Sequence, residues 1–185
     1  MRILIACEFS GLVRDAFLAR GHEALSCDLE PTERPGPHYQ GNVRDLLGER
    51  WDMMVAFPPC TYLSAAGARW WKYRKREQQE ALDFVQLLMN ADIPRIAIEN
   101  PQGIISTLIR KPDQVIQPYF FGHEESKRTC LWLKNLPSLM STCLFLERKK
   151  WILSLAPSPT RGKERSRTFP NIAYEMARQW GGELS

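Results

Sequence analysis

RILIACEFSGLVRDAFLARGHEALSCD, residues 2–28, reads as strand, glycine turn, helix and strand. Residues 2–6 are almost wholly apolar, as a short strand buried on both faces must be, and they close on the turn-like Phe9-Ser10-Gly11. Val13, Phe17 and Leu18 then fall at helical spacing over residues 12–20, and Gly21 stops the helix. Residues 23–27 resume an apolar run that ends on Asp28. A strand that returns after one helix opens a βαβ unit, which predicts an α/β fold on a mostly parallel sheet.

The rest of the chain continues the alternation. Residues 30–41 hold Pro31, Pro35, Gly36 and Pro37 and are expected to form an exposed loop. A short helix is expected over 43–47, and a strand over 52–56 that stops at Pro58-Pro59. Ala81, Phe84, Val85 and Leu88 make 74–90 an amphipathic helix, and residues 96–98 form a strand before Pro101. Beyond it, 129–133 reads as a strand, 143–146 and 151–155 are further strand candidates, and 172–180 is a helix. Residues 135–158 could be a small insertion, but no repeat or low-complexity tract marks a second domain, so 1–185 is read as one domain.

Composition narrows the class. The 185 residues are 44% hydrophobic and 25% charged, an ordinary globular balance with room for one sizeable core. Lys and Arg outnumber Asp and Glu by 25 to 21, a mild basic bias that suits a phosphate-bearing partner. No apolar run approaches the roughly 18 residues of a membrane span, and the first residues lack the pattern of a signal peptide. The five cysteines are scattered, with no Cys-x-x-Cys pair, so neither a disulfide framework nor a zinc site is expected. A reducing cytoplasm and a metal-free protein follow as expectations, and in that setting a cysteine with a task is a nucleophile.

Open parallel sheets bind ligands beyond the carboxyl ends of their strands. Four such ends carry chemistry here: Phe9-Ser10-Gly11, then Asp28, then Pro58-Pro59-Cys60, then Glu99-Asn100-Pro101. Gly11 allows close approach of backbone to a ligand, and Asp28 can accept from both hydroxyls of a ribose. The turn has one glycine, and Arg14 stands where a dinucleotide site expects its third, so an adenosine cofactor without phosphates fits better. Cys60, fixed by two prolines past a strand end, suits a thiolate nucleophile. Glu99, at the end of an apolar strand, suits a carboxyl of raised pKa that donates a proton.

Phe57-Pro58-Pro59-Cys60-Thr61-Tyr62-Leu63-Ser64 resembles the Pro-Cys nucleophile motif of the cytosine-C5 DNA methyltransferases. Glu99-Asn100-Pro101 resembles their Glu-Asn-Val motif, and Phe9-Ser10-Gly11 with Asp28 resembles their S-adenosylmethionine site, all in the family's order over roughly the first 130 residues. The resemblance implies a Rossmann-like S-adenosylmethionine-dependent methyltransferase fold. It implies Cys60 as the nucleophile on C6 of a cytosine, Glu99 as the group at N3, and Arg128 as a clamp on the base or sugar-phosphate. For the block Lys127-Arg128-Thr129 one register aligns Arg128 with the family's catalytic arginine and another aligns Lys127. The implied cofactor residues are Phe9, Ser10, Gly11, Asp28, Pro58 and Asn42, which replaces the aspartate of a Gly-Asp-Ile motif. Ser166-Arg167-Thr168 with the helix after it stands where the family's last motif completes the cofactor site.

Arg69-Trp70-Trp71-Lys72-Tyr73-Arg74 interleaves aromatics with cations directly after the cysteine loop. With Lys127, the residues Arg69, Trp70, Trp71, Lys72 and Arg74 are the candidates for neutralising phosphates and stacking on bases. Family members commonly carry a target-recognition domain before their last motif, whereas here only 134–162 is available. That points to a short form acting on DNA with relaxed specificity. A methyltransferase of a free cytidine nucleotide such as dCMP, or a catalytically idle nucleic-acid-binding decoy, remains as an alternative, and the oligomeric state stays open.

Overall fold

The computed structural model describes residues 1–143, 164 and 166–182, so the strand candidate at 151–155 and most of that at 143–146 lie outside the described residues. In chain order the elements are β1 (Arg2–Ala6), α1 (Leu12–Leu18), β2 (Glu23–Asp28), β3 (His38–Gln40), β4 (Met53–Ala56), α2 (Lys75–Met89), β5 (Arg95–Pro101), α3 (Ile105–Leu108), β6 (Gln114–Ile116), β7 (Thr129–Lys134) and α4 (Pro170–Gly181). Short 3₁₀ helices occupy Val43–Asp45, Ala65–Tyr73 and Pro118–Phe120.

The strands form one seven-stranded sheet in the order β3-β2-β1-β4-β5-β7-β6. From β3 to β5 every pair is parallel, and β7 runs antiparallel to both β5 and β6. This is a mostly parallel, Rossmann-like α/β sheet. The apolar runs are continuous because helices cover both faces. Leu4, Ala6, Met54, Ala56, Ile96 and Ile98 pack toward Leu82, Val85 and Leu88 of α2. The alternate residues Ile3, Ile5, Met53, Val55 and Ala97 pack toward Val13 and Phe17 of α1 and Ile172, Met176 and Trp180 of α4.

The strand order reverses between β1 and β4, which opens a crevice beyond their carboxyl ends. Because β7 is antiparallel, the residues that precede it emerge at that same edge. The topology thereby gathers the ends of β1, β2, β4 and β5 and the approach to β7.

Three readings change. The segment 30–41 is not loop throughout: His38–Gln40 pairs with Ser26, Cys27 and Asp28 of β2 as an edge strand. Glu99 does not end its strand, since β5 continues to Pro101 and Glu99 lies opposite Leu131 of β7. Arg14, read as filling the place of a glycine, is a buried strut. Its guanidinium is fully buried beside Asp15 (2.7 Å) and donates to Ser26 Oγ, Thr32 Oγ1 and the carbonyls of Arg34 and Pro35 at 3.1–3.2 Å. One side chain on α1 therefore fixes the course of the β2–β3 loop. Arg14→Met leaves those acceptors without their donor, and is expected to lower unfolding free energy by about 2–4 kcal/mol in urea titration.

Candidate active site

The crevice is a cleft of about 910 Å³. Its wall includes Phe9 and Ser10 after β1, Asp28 at the end of β2, Pro58, Pro59 and Cys60 after β4, and Glu99 and Asn100 of β5. Lys127 and Arg128 before β7, Trp70, and Ser166, Arg167 and Thr168 complete its rim. The structure thus brings the three candidate catalytic residues Cys60, Glu99 and Arg128, the alternative Lys127 and most of the cofactor candidates to one cavity.

It leaves others outside. Gly11 lies behind the wall at the start of α1 with φ 74°, and a side-chain carbon there would stand 2.6 Å from Arg14 Nη2. Asn42 is exposed and away from the lining, where its Oδ1 accepts from Arg44 N at 3.0 Å and caps the 3₁₀ helix Val43–Asp45. Arg69, Trp71 and Lys72 lie on the 3₁₀ helix Ala65–Tyr73 beyond the lining, and Arg74 pairs with Glu77 at 2.9 Å. Trp71 turns partly inward and buries its Nε1 without a hydrogen-bond partner.

The cysteine loop is locked to the glutamate strand by backbone. Cys60 O accepts from Leu63 N and Ser64 N at 3.0 and 2.9 Å, which closes a tight turn. Asn100, fully buried, donates from Nδ2 to Pro58 O at 2.7 Å. Ala65 N donates to Gln102 O at 3.0 Å, and Ile104 N to Leu63 O at 2.9 Å, around an antiparallel bridge between Ser64 and Gly103. At Gly103 a side-chain carbon would fall 1.9 Å from Leu63 O, so only glycine lets the two loops meet. Gly103→Ala must push the Cys60 loop away. It is expected to cost about 2–4 kcal/mol in thermal or urea unfolding and to lower the reactivity of Cys60 toward thiol reagents or substrate.

Burial shifts the titratable groups around the cleft. Glu99 is pushed above the ordinary carboxylate range by desolvation, against the opposing pull of Lys127 and a hydrogen bond with the Thr129 hydroxyl. The same burial raises Asp28. Burial, with Asp28 nearby, holds Cys7 far up as a neutral thiol, and Cys27 is pushed up to about 11. Cys130 is raised as well, by burial and then by Glu99. These three cysteines are poor nucleophiles.

Glu8 belongs to none of the motifs quoted from the sequence. It is buried in the cleft wall, where Oε1 accepts from Ser10 Oγ and from Leu12 N (2.9 Å), capping α1 in place of the side chain Gly11 lacks. Its Oε2 is buried without a partner, and desolvation raises its pKa. No motif pointed to it, because an acid directly after a strand gains this meaning only once the turn folds back. On the opposite side Arg167 holds Glu33 through two bonds of 2.7 and 2.9 Å, fastening residues 166–168 to the β2–β3 loop. Among the described residues no group of three or more His, Cys, Asp or Glu side chains could hold a metal ion, and no helix is long and apolar enough to cross a membrane.

The fold is shared with solved structures whose titles describe methyltransferases. A protein of E. coli described as a DNA modification methyltransferase encoded within a prophage superposes with a TM-score of 0.51 at 12% identity, over 85% of this chain and 55% of that one. The Entamoeba histolytica methyltransferase EhMeth gives 0.53 at 13% identity, over 85% of this chain and 60% of that one. The chain therefore spans little more than half the length of these solved structures. No protein-family model and no curated protein matches the sequence.

Proposed function

We propose that the chain is an S-adenosylmethionine-dependent cytosine C5-methyltransferase that acts on DNA through covalent catalysis by Cys60. The observation that carries this reading is the joint placement of Cys60 and Glu99 in one cleft, with Asn100 tying their two loops together at 2.7 Å. The two structural likenesses, both to proteins named as methyltransferases, support the class.

The residues present fit the cofactor. Glu8, which lines the cleft together with Asp28 and whose Oε2 is unpartnered, suits the ammonium of an amino-acid moiety, and Asp28 suits ribose hydroxyls. Phe9 and Pro58 supply apolar wall for the adenine and the methyl-bearing chain. When bound, S-adenosylmethionine supplies an electrophilic methyl group on its sulfonium.

The chain's own residues make the cytosine carbon able to accept it. The Cys60 thiolate donates a lone pair to C6 and forms an S–C6 bond. Glu99, whose carboxyl pKa is raised by burial, gives its proton to N3, so the ring's electrons gather at C5 rather than on nitrogen. After C5 is methylated a base takes the C5 proton, the S–C6 bond breaks, and N3 returns its proton to Glu99. Lys127 and Arg128, on the same wall, suit the base carbonyl and the adjoining phosphate. Only residues 135–169 separate β7 from α4, too short a stretch for a separate recognition domain, so little sequence selectivity is proposed.

Transfer of tritiated methyl from S-adenosylmethionine to duplex DNA, single-stranded DNA, RNA and dCMP tests the reading. Incorporation into cytosine C5 of DNA supports it. Transfer to an exocyclic nitrogen, or cofactor binding without transfer to any of the four, contradicts it.

A further inference from the structure

The segment between the cysteine turn and α2 is a nine-residue 3₁₀ helix, Ala65–Tyr73, that contains no buried residue. Such runs are uncommon beyond a turn or so, because their hydrogen-bond geometry is poorer than that of an α-helix. Three residues make one turn in this geometry, so side chains at i and i+3 stand directly above one another, about 6 Å apart. Two stripes result. Gly67, Trp70 and Tyr73 form one, and Ala66, Arg69 and Lys72 form the other beside it. Trp70 and Tyr73 are 55% and 67% exposed, large values for such rings. Arg69 lies 5.1 Å from the Trp70 ring and Lys72 4.6 Å from the Tyr73 ring, so each aromatic carries its own cation.

Among the described residues these two cations differ from their basic neighbours. Arg74 and Arg76 are held by Glu77 and Glu80 at 2.9 Å, whereas Arg69 and Lys72 form no ion pair among the described residues. Exposed rings gain little from a paired helix, whose base faces are already covered by neighbouring bases; a duplex would use only the cations. Unpaired bases offer their faces to the rings and their phosphates to the cations. Position matters too. Trp70 lines the cleft, but Tyr73 stands a full turn outside it. Tyr73 is not part of the cleft lining, so a mononucleotide held there makes no use of it, whereas a strand that leaves past Trp70 has a second ring to meet.

We infer that the substrate of this site is a cytosine in a single-stranded polynucleotide, whose neighbouring bases stack on Trp70 and Tyr73 while Arg69 and Lys72 meet the phosphates. The inference rests on the methyltransferase reading for the target base alone. The strand-binding stripe stands on its own geometry.

Fluorescence anisotropy of the full chain with a labelled 12-nucleotide single-stranded DNA, the RNA of the same sequence and the corresponding duplex, with dCMP as competitor, tests it. Either single strand is expected to bind at least about tenfold tighter than the duplex and to quench tryptophan emission, with dCMP competing only weakly. The double variant Trp70→Ala with Tyr73→Ala should lose about tenfold or more in single-strand affinity, keep the wild-type melting temperature because it removes no buried residue, and be rescued by Trp70→Phe with Tyr73→Phe. Duplex or dCMP binding as tightly as the single strands, or a double variant with unchanged single-strand affinity, overturns the inference. Single-strand preference without any methyl transfer would sustain it and remove the enzymatic reading; methyl transfer confined to duplex would do the reverse.

Discussion

Cys60→Ser is expected to lower methyl transfer by on the order of 10⁴-fold or more, with cofactor binding unchanged. A serine hydroxyl has almost no anionic form near neutral pH, so the attack on C6 that activates the ring is lost rather than weakened. The substitution changes one side-chain atom and leaves the carbonyl of residue 60 free to accept from Leu63 N and Ser64 N, so the turn and its ties to Gln102 and Ile104 persist. Cys7 also lines the cleft, but burial keeps it a neutral thiol, and Cys7→Ser should retain transfer. Parallel kinetics of the two variants separate a nucleophile from a merely adjacent cysteine.

Glu99→Gln is the second large effect. It keeps the size and hydrogen-bonding capacity of the side chain but cannot deliver a proton to N3, and transfer is expected to fall by about 10²–10⁴-fold. Two pH signatures accompany it. The wild-type rate should decline as pH rises through the elevated Glu99 pKa, and the variant should lack that limb. Stability moves the other way. Between the ordinary carboxylate pKa and the raised folded value the native chain holds a proton that the unfolded chain has lost, so wild-type stability falls as pH rises through that window. Glutamine removes this cost. The variant should therefore melt higher than wild type above the window and equal to it below the ordinary carboxylate range. A variant that is less active, more stable at neutral pH and indistinguishable in acid is difficult to explain by a purely structural role for Glu99.

The sequence displayed the sheet well where the sheet is buried on both faces. β1, β4 and the first half of β5 carry unbroken apolar runs, and β2 one broken only by Ser26, because α1 and α4 cover one side and α2 the other. It hid the edges. His38–Gln40 and Gln114–Ile116 are three-residue strands at the sheet margins. Neither has an apolar run to announce it, and three prolines precede the first. The 3₁₀ helix Ala65–Tyr73 escaped for another reason: its stripes repeat every three residues, and a search at the α-helical period misses them.

The site divides in the same way. Cys60, Glu99 and Asp28 were legible because each closes or nearly closes an apolar strand, where an ionisable group demands a reason. Glu8 and Gly103 were not, since their roles depend on partners met only in three dimensions: the folded-back turn at Leu12 and the Leu63 carbonyl. Asn42 was assigned from a motif position and lies outside the cleft, engaged with its own helix cap.

The covalent bond to Cys60 is the claim on which the mechanism depends, and it can be observed. Incubating the chain with S-adenosylmethionine and an oligonucleotide that carries 5-fluorocytosine, then mapping peptides by mass spectrometry, catches the bond because fluorine at C5 cannot leave as a proton. The mechanism predicts a stable methylated adduct on the peptide containing Cys60, absent from Cys60→Ser. Methyl transfer to ordinary cytosine together with no adduct, or an adduct on Cys7 in its place, would contradict it.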